Sequence, residues 1–413
     1  MAGLDLTTAS GILKDAYAPK VREQVNNKVF LLSQLSSSSS DVEMSETGAE
    51  AVLSLHVSRS PGVRNIADGG TLPTPGNQGY VKSRIPLRTI TGRIRFTIQT
   101  MTAMKTNAGA WERAATSETK RLTNDLRRNV NRQLAGTADG TIATTAANAA
   151  VNTIVLSATT TYVQMEQLEV GTPVDISTAA SPGDAAKASA RTITAVDITN
   201  KTITISGAAV TTASTDRVEW SGNGGAYGGV TQKELTGLQK IVSASGVLQS
   251  VDPVTWPIWK AYDDGAAADR TPTENVFEKA AHGVDRKSDG QIKLWLVEHG
   301  VERAYSNTLT TMKRVVNTLE LKGGYKGLSV STSVGEAAMK SDRDIPEKTA
   351  YGIDPEHLAV KQWTPLTWLE EGDGIVLRQT PDKLEYEGTA YWLLDLVTDA
   401  RAAHAYAGKL TPA

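Results

Sequence analysis

The run AVLSLHVS (Ala51–Ser58), followed after a Gly/Pro-rich stretch by YVKSRIPLRTITGRIRFTIQ (Tyr80–Gln99), decides how this chain is read. In the first run Ala51, Leu53, Leu55 and Val57 share one parity while Ser54, His56 and Ser58 share the other, the period of a half-buried strand. In the second, Val81, Ile85 and Leu87 are apolar at odd positions, then Ile90, Ile94, Phe96 and Ile98 take over at even ones. A one-residue shift of parity turns every side chain to the other face, so the strand is expected to bulge or bend between Arg88 and Ile90 and to leave its domain there. Between the runs, Pro61–Gly79 is punctuated by Gly62, Gly69, Gly70, Pro73, Pro75, Gly76 and Gly79 and has almost nothing to bury. So long a loop in a compact domain is expected to be either disordered or ordered by another subunit.

Charge sharpens that expectation. From Ala51 to Gln99 the chain carries Arg59, Arg64, Lys82, Arg84, Arg88, Arg93 and Arg95 against Asp68 alone, seven positive and one negative, a net of +6. The last eighty residues, Val334–Ala413, hold fourteen Asp or Glu and eight Lys or Arg, a net of −6. Glu370, Glu371, Asp373, Glu385 and Glu387 belong to this acidic part, the electrostatic complement of the hairpin and its candidate acceptors. The whole chain carries only −2, so it has no general preference for nucleic acid or membrane.

A single helical stretch follows the hairpin, from about Asn107 to Leu134. Its apolar residues Trp111, Ala115, Leu122, Leu126, Val130 and Leu134 recur mostly at four-residue steps, a stripe that drifts around the helix and predicts oblique packing. Lys120, Arg121, Arg127, Arg128 and Arg132 crowd its later half, where cations suit the dipole, and Gly136 supplies a stop. Before the hairpin lies a leader with an expected helix from Thr8 to Leu35, interrupted at Pro19, and a joint of five serines, Ser36–Ser40.

After the helix, Thr, Ala, Val and Ile dominate from Thr141 to Gly222. Strands are expected at Thr153–Leu156, Pro173–Ile176, Thr192–Val196, Thr202–Ser206 and Arg217–Trp220, a small all-β insertion. Mixed patterning then resumes, with helices near Lys233–Val242, Val254–Ala261, Thr273–His282 and Glu302–Arg314. Strands are expected there near Leu294–Val297, Leu328–Val330, Ile375–Gln379 and Tyr391–Leu396.

The 413 residues suffice for two or more domains. The absence of cysteine excludes disulfides, thiolate catalysis and Cys-based zinc sites, and fits synthesis in a reducing cytosol. No signal peptide or membrane span is visible. Ser117-Glu118-Thr119-Lys120 fits a Ser-x-x-Lys nucleophile, but its partner motifs are missing and it sits in a charged helix. The five histidines, His56, His282, His299, His357 and His404, are scattered and read as surface or packing residues. Asp342-Arg343-Asp344 reads as a solvated, ion-paired loop rather than half a metal site. Gly222–Gly229 lacks both phosphate-loop spacings and reads as a linker. No catalytic, cofactor or metal site is expected, and the chain is not read as an enzyme.

The order of leader, basic hairpin, long oblique helix, β insertion and mixed α/β part resembles the major capsid proteins of tailed bacteriophages, the Hong Kong 97-like fold. Gly327-Leu328-Ser329-Val330, Asp342–Pro346, Tyr351-Gly352-Ile353-Asp354 and Leu358 are similar in texture to the C-terminal part of such coat proteins. The resemblance covers nearly the whole chain outside the insertion. It implies an α+β fold divided as N-terminal arm (1–46), extended hairpin loop (47–106), spine helix of a peripheral domain (107–140), insertion (141–222), mainly axial domain (223–370) and return strands of the peripheral domain (371–413).

It further implies self-assembly as pentamers and hexamers into an icosahedral shell, made in the host bacterial cytoplasm and becoming the virion capsid. Implied partners are a separate scaffolding protein, a portal, a decoration or minor capsid protein, and packaged double-stranded DNA bound without sequence preference, with no membrane. Leu53, Leu55, Ile85 and Leu87 are then expected to bury against a neighbouring subunit while the hairpin's arginines meet that subunit's acids between Glu370 and Glu387. Some members crosslink a hairpin lysine to a partner asparagine. Lys82 is the only lysine of this hairpin and no partner is identifiable, so that chemistry is not carried over. The alternatives are an encapsulin-type compartment of the same fold and, from another class, a β-rich hydrolase using Ser117 or the Asp342/Asp344 pair.

Overall fold

The computed structural model describes residues 29–35, 43–44, 50–98, 108–178, 186–222, 233–311, 318–320, 326–370, 376–381 and 383–413. The leader before Val29, the serine joint, Ser117's side chain, Glu371 and Asp373 lie outside what is described, as does the glycine run after Gly222. A short helix, α1 (Phe30–Gln34), buries Phe30 and Leu31 against the long helix α2 (Ala108–Ala135). Strand β1 (Glu43–Met44) pairs with β2 (Glu50–Ser58), which pairs antiparallel with β3 (Gly79–Pro86) from Glu50↔Pro86 to Ser58↔Gly79.

Then the path changes sheet. After Leu87 and Arg88, β4 (Thr89–Thr97) pairs not with the hairpin but with the strand Glu385–Thr398, from Thr97↔Glu385 to Thr89↔Leu393. The parity shift in the sequence marks this break. Ser83 and Ile85 face inward on β3, and Ile90 and Phe96 do so on β4. Strand Glu385–Thr398 also pairs with Leu358–Trp368 and Arg378–Gln379, and α2 packs across this sheet through Leu122, Leu126, Val130 and Leu134. Gly92 lets the helix approach closely there, since a Cβ would stand 2.8 Å from Leu122 Cδ1 and push that side chain aside.

A second body is a seven-stranded mixed sheet ordered Tyr262–Asp264, Ala405–Ala407, Ala350–Ile353, Leu294–Val297, Gly335–Ser341, Lys326–Thr332 and Thr318–Glu320. Helix Glu274–Asp285 and helix His299–Thr311 cover it, with Phe277 stacking edge-on against both Trp295 and Tyr305. Leu358–Trp368 lies in the β4 sheet and Ala405–Ala407 in the large sheet, so the chain crosses between the two bodies near Asp354–Leu358 and Thr398–Ala405. Leu358–Trp368 thus shares a sheet with the strand of the last segment although it precedes the boundary expected at residue 370. The helix expected over Val254–Ala261 is also absent. Pro253 and Pro257 remove backbone donors and leave a turn and one short 3-10 turn, Pro257–Trp259.

The insertion is all-β apart from one capped helical turn, Tyr162–Glu166. Its six-stranded sheet runs Thr141–Thr144, Arg217–Trp220, Pro173–Ser177, Ala186–Asp197, Thr202–Ile205 and Thr153–Val155. The alternation of Thr with Ile, Val and Ala that marks these strands also fills their core, in which Ile154, Val174, Ile176, Ile203 and Val218 are fully buried. Thr141 pairs with Glu219, so the two ends of the insertion are neighbours on adjacent strands.

Candidate assembly interface

The hairpin's seven cations divide by position. Nearest the body, Arg88 turns inward: its Nε lies 3.3 Å from Asp395 Oδ2, and Asp395 is fully buried. Burial pushes the Asp395 carboxyl above its ordinary value, against Arg88 and the hydrogen bonds donated by the Thr236 and Leu396 amides. Reversing Arg88 would set two carboxylates together in the core, where breaking a buried pair already costs about 3–5 kcal/mol. Within this chain, then, Arg88 serves as an internal anchor.

Further along, Arg93 pairs with Glu387, while Arg95 reaches Glu387 Oε1 at 2.6 Å and Glu385 Oε2 at 3.3 Å. Arg93 and Arg95 stand on the exposed face of β4 because their parity opposes that of Ile90 and Phe96, and the register places Arg95 directly across from Glu387, with Arg93 one diagonal step from Glu387 and Glu385 one diagonal step from Arg95. Desolvation of the Glu387 carboxyl opposes ionisation, but the guanidiniums outweigh it and hold its pKa below the usual carboxylate value. The sequence expected these acids to receive arginines from another subunit; here they are met within one chain. Arg84 likewise finds Glu50 at 3.0 Å, its cross-strand diagonal neighbour.

Three cations remain without an acidic partner among the described residues: Arg59, Arg64 and Lys82, all exposed. Two of them flank the tip, whose apolar side chains are also open to solvent, Val63 at 87 % and Leu72 at 77 % of full exposure, with Ile66 and Tyr80 beside them. Glu370 is exposed and has no cationic partner among the described residues. By contrast, Leu55 and Ile85 are buried in their own subunit, Leu55 in the main core and Ile85 in a small cluster with Ala51, Val397 and Trp363. Their expected burial on a neighbour is corrected: the root of the hairpin is docked and only its distal part is free. A groove of about 550 Å³ runs beside this root, lined by Leu55, Val57, Arg59, Trp259, Asp399 and Arg401.

Chemistry elsewhere is structural. His404 is fully buried; the Asp354 amide donates to its Nδ1 at 3.3 Å, so Nε2 carries the proton facing Thr398 Oγ1 at 3.0 Å, and burial lowers its pKa to about 3. Asp342 and Asp344 are buried, not solvated, because their loop tucks under α2, where Asn131 Nδ2 donates to Asp344 Oδ2 at 2.7 Å. Among the described residues no three His, Asp or Glu side chains gather as metal ligands, and no helix is long and apolar enough to cross a membrane.

No protein-family model and no curated protein sequence matches the chain. Similarity lies in structure. The chain superposes on the capsid asymmetric unit of cyanophage A-1(L) with a TM-score of 0.59 at 12 % identity, covering 99 % of this chain and 100 % of the other. The capsid subunit of a native GTA particle superposes with a TM-score of 0.51 at 9 % identity over 100 % of both chains, and that of an empty GTA particle with 0.50 at 8 % identity over 98 % of both. These overlaps span the hairpin, long helix, insertion and both sheets, and the chain has the Hong Kong 97-like capsid fold.

Proposed function

We propose that this chain is the major capsid protein of a tailed bacteriophage, with copies joining as pentamers and hexamers into an icosahedral shell around a double-stranded DNA genome. The observation that carries the proposal is the hairpin: a root packed into its own core, and a distal segment with Val63, Ile66 and Leu72 exposed and Arg59 and Arg64 unmatched among the described residues. Such a tip gains nothing from the subunit that bears it. Laid on a neighbouring copy it buries its apolar side chains and brings two arginines to an acidic surface that includes Glu370. Each exposed ion pair contributes only about 0–1 kcal/mol, but a ring of subunits repeats every contact, and repeated contacts add without further loss of freedom.

The role is one of binding, not catalysis. A separate scaffolding protein, a portal and a decoration or minor capsid protein complete the assembly, which forms in the bacterial cytoplasm and ends as the virion shell. Expression of the chain with its scaffold, followed by sedimentation and negative-stain imaging, tests this directly. Closed isometric shells are expected, and particles recovered from infected cells should protect DNA from nuclease. Shells holding only protein cargo would move the assignment to a compartment of the same fold; soluble monomers alone would refute it.

A further inference from the structure

Gln249 and Ser250 both adopt left-handed backbone, with φ of +50° and +62°. They form a two-residue turn between Leu248 and Val251, whose backbones exchange both hydrogen bonds, at 3.1 and 2.9 Å. Positive φ at both central positions makes this a type I′ turn, for which Asn-Gly is the strongly preferred pair. Gln-Ser is a strained choice, and strain of this kind persists only where the surroundings over-determine it. Leu248 and Val251 are buried in the main core and fix the turn in place.

What the glutamine supplies in return is a grip on two elements at once. Its main-chain oxygen accepts from the Arg84 amide at 2.9 Å. With its carboxamide oriented to match its neighbours, the nitrogen donates to Ser83 Oγ and to the Thr398 carbonyl, both at 2.9 Å, and the oxygen accepts from the Thr398 amide at 3.0 Å. Ser83 and Thr398 are both fully buried. Ser83 and Arg84 belong to the hairpin strand β3, whereas Thr398 ends the strand that pairs with β4. An asparagine would suit the turn better, but its side chain is one methylene too short to reach both.

We propose that Gln249 is a positioning residue for shell assembly: it clamps the root of the hairpin to the body of the subunit and so sets the direction in which the tip meets its neighbour. This rests on the capsid function proposed above. Leu55 and Val57 keep the paired strands on the core past Ser83, and the loop of residues 59–78 extends from their end, so a small change in the seating of the root is carried to the tip. Arg88, the Ile85 cluster and, on the tip side of Ser83, Leu55 and Val57 also hold the hairpin to the core, but none of them spans from β3 to Thr398 through polar, directional bonds.

Two variants separate aim from stability. Ser250→Gly relaxes the turn and keeps the glutamine; its subunits should melt at or above the wild-type temperature and form normal shells. Gln249→Asn combined with Ser250→Gly creates the preferred turn but removes the reach. Its subunits should fold but melt lower than wild type, because Ser83 Oγ and the Thr398 main chain lose their buried partner. At a temperature where they remain fully folded the yield of closed shells should still fall roughly tenfold or more, because multivalent gain vanishes when geometry prevents simultaneous engagement. Normal shells from the double variant, at wild-type yield, would overturn the inference while leaving the capsid function standing; failure of the wild type itself to assemble would instead defeat that function. Should the double variant not fold, hydrogen exchange in the wild-type subunit decides. A Thr398 amide, which donates to the carboxamide oxygen, protected as well as those of Leu294–Val297 supports the clamp, and one exchanging as fast as the hairpin tip removes it.

Discussion

The insertion and the hairpin tip are both excursions from the two main sheets, and they are built in opposite ways. Residues 141–222 close on themselves: their ends sit side by side at Thr141 and Glu219, and they hold a core of their own. The twenty residues 59–78 bury none of their side chains fully, and they place Val63 and Leu72 in solvent. The insertion contacts the rest of the subunit by a few polar links, among them Arg128 to Glu169 at 2.6 Å and the Tyr162 amide to Glu347 at 2.6 Å. One excursion is complete as a folding unit. The other leaves its side chains in solvent, and on the capsid function proposed above a second copy would complete it, so the contrast proposes a division between residues that stabilise the subunit and residues that join it to others.

The largest effect should come from removing the tip. Replacing Arg59–Gln78 by an Asn-Gly turn joins Ser58 to Gly79, the last paired residues, with the loop chemistry a two-residue hairpin prefers. Shell formation should be abolished, while the denaturation midpoint of the subunit moves by no more than the roughly 0.5 kcal/mol typical of surface changes. A large loss of subunit stability would show that the tip is part of its own core after all.

The complementary change is made in the insertion. Ile154→Ala opens a cavity in a fully buried site and should cost about 2–5 kcal/mol. That loss should be confined to a separate unfolding transition for residues 141–222, with the main body melting as before. A single merged transition shifted by the same amount would make the insertion and the body one cooperative unit.

A smaller effect is expected where α2 meets the loop at residue 342. Burial, reinforced by the neighbouring Asp344 charge, pushes the Asp342 carboxyl up to about 6. A folded pKa above the unfolded one means that the native state holds the proton more tightly. The contribution is then fully present below about pH 4 and is lost as pH rises towards 6, with little further change above that. Asp342→Asn should therefore raise the melting temperature at pH 7, by the equivalent of at most about 3 kcal/mol for two pKa units, and the gain should shrink to nothing near pH 4. Equal melting of the two proteins at pH 7 would show that Asp342 is not desolvated as the fold requires.

Much of this arrangement was legible in the sequence, because it is written in local periodicity. The shift of parity at Leu87–Ile90 marks where the chain passes from hairpin to sheet, and the Thr/Val/Ile alternation from Thr153 to Trp220 marks most insertion strands. What sequence could not give is which charges meet within the chain. Arg93 and Arg95 find Glu387 and Glu385 only because residues nearly three hundred positions away pair in register with β4. Arg88 looks like its neighbours in composition but lies at the break between two strands, and there it turns to a buried aspartate. Arg401 is a similar case: fully buried, it donates to the carbonyls of Lys240, Ile241, Ser245 and Gly246, and burial lowers its pKa to about 10. Gln249 gave no signal at all, since a Gln-Ser pair is not a turn motif. Its role depends on a core that fixes the turn and on two strands that converge beside it.

A side-chain-resolution electron cryomicroscopy map of assembled shells tests most directly whether the hairpin tip is completed by a second copy. The map should show residues 59–78 ordered along an adjacent subunit, with Val63 and Leu72 covered and the guanidiniums of Arg59 and Arg64 in salt-bridge contact with that subunit's carboxylates. Tips extending into solvent in a well-formed shell, with those four side chains as exposed as they are in the single chain, would contradict it.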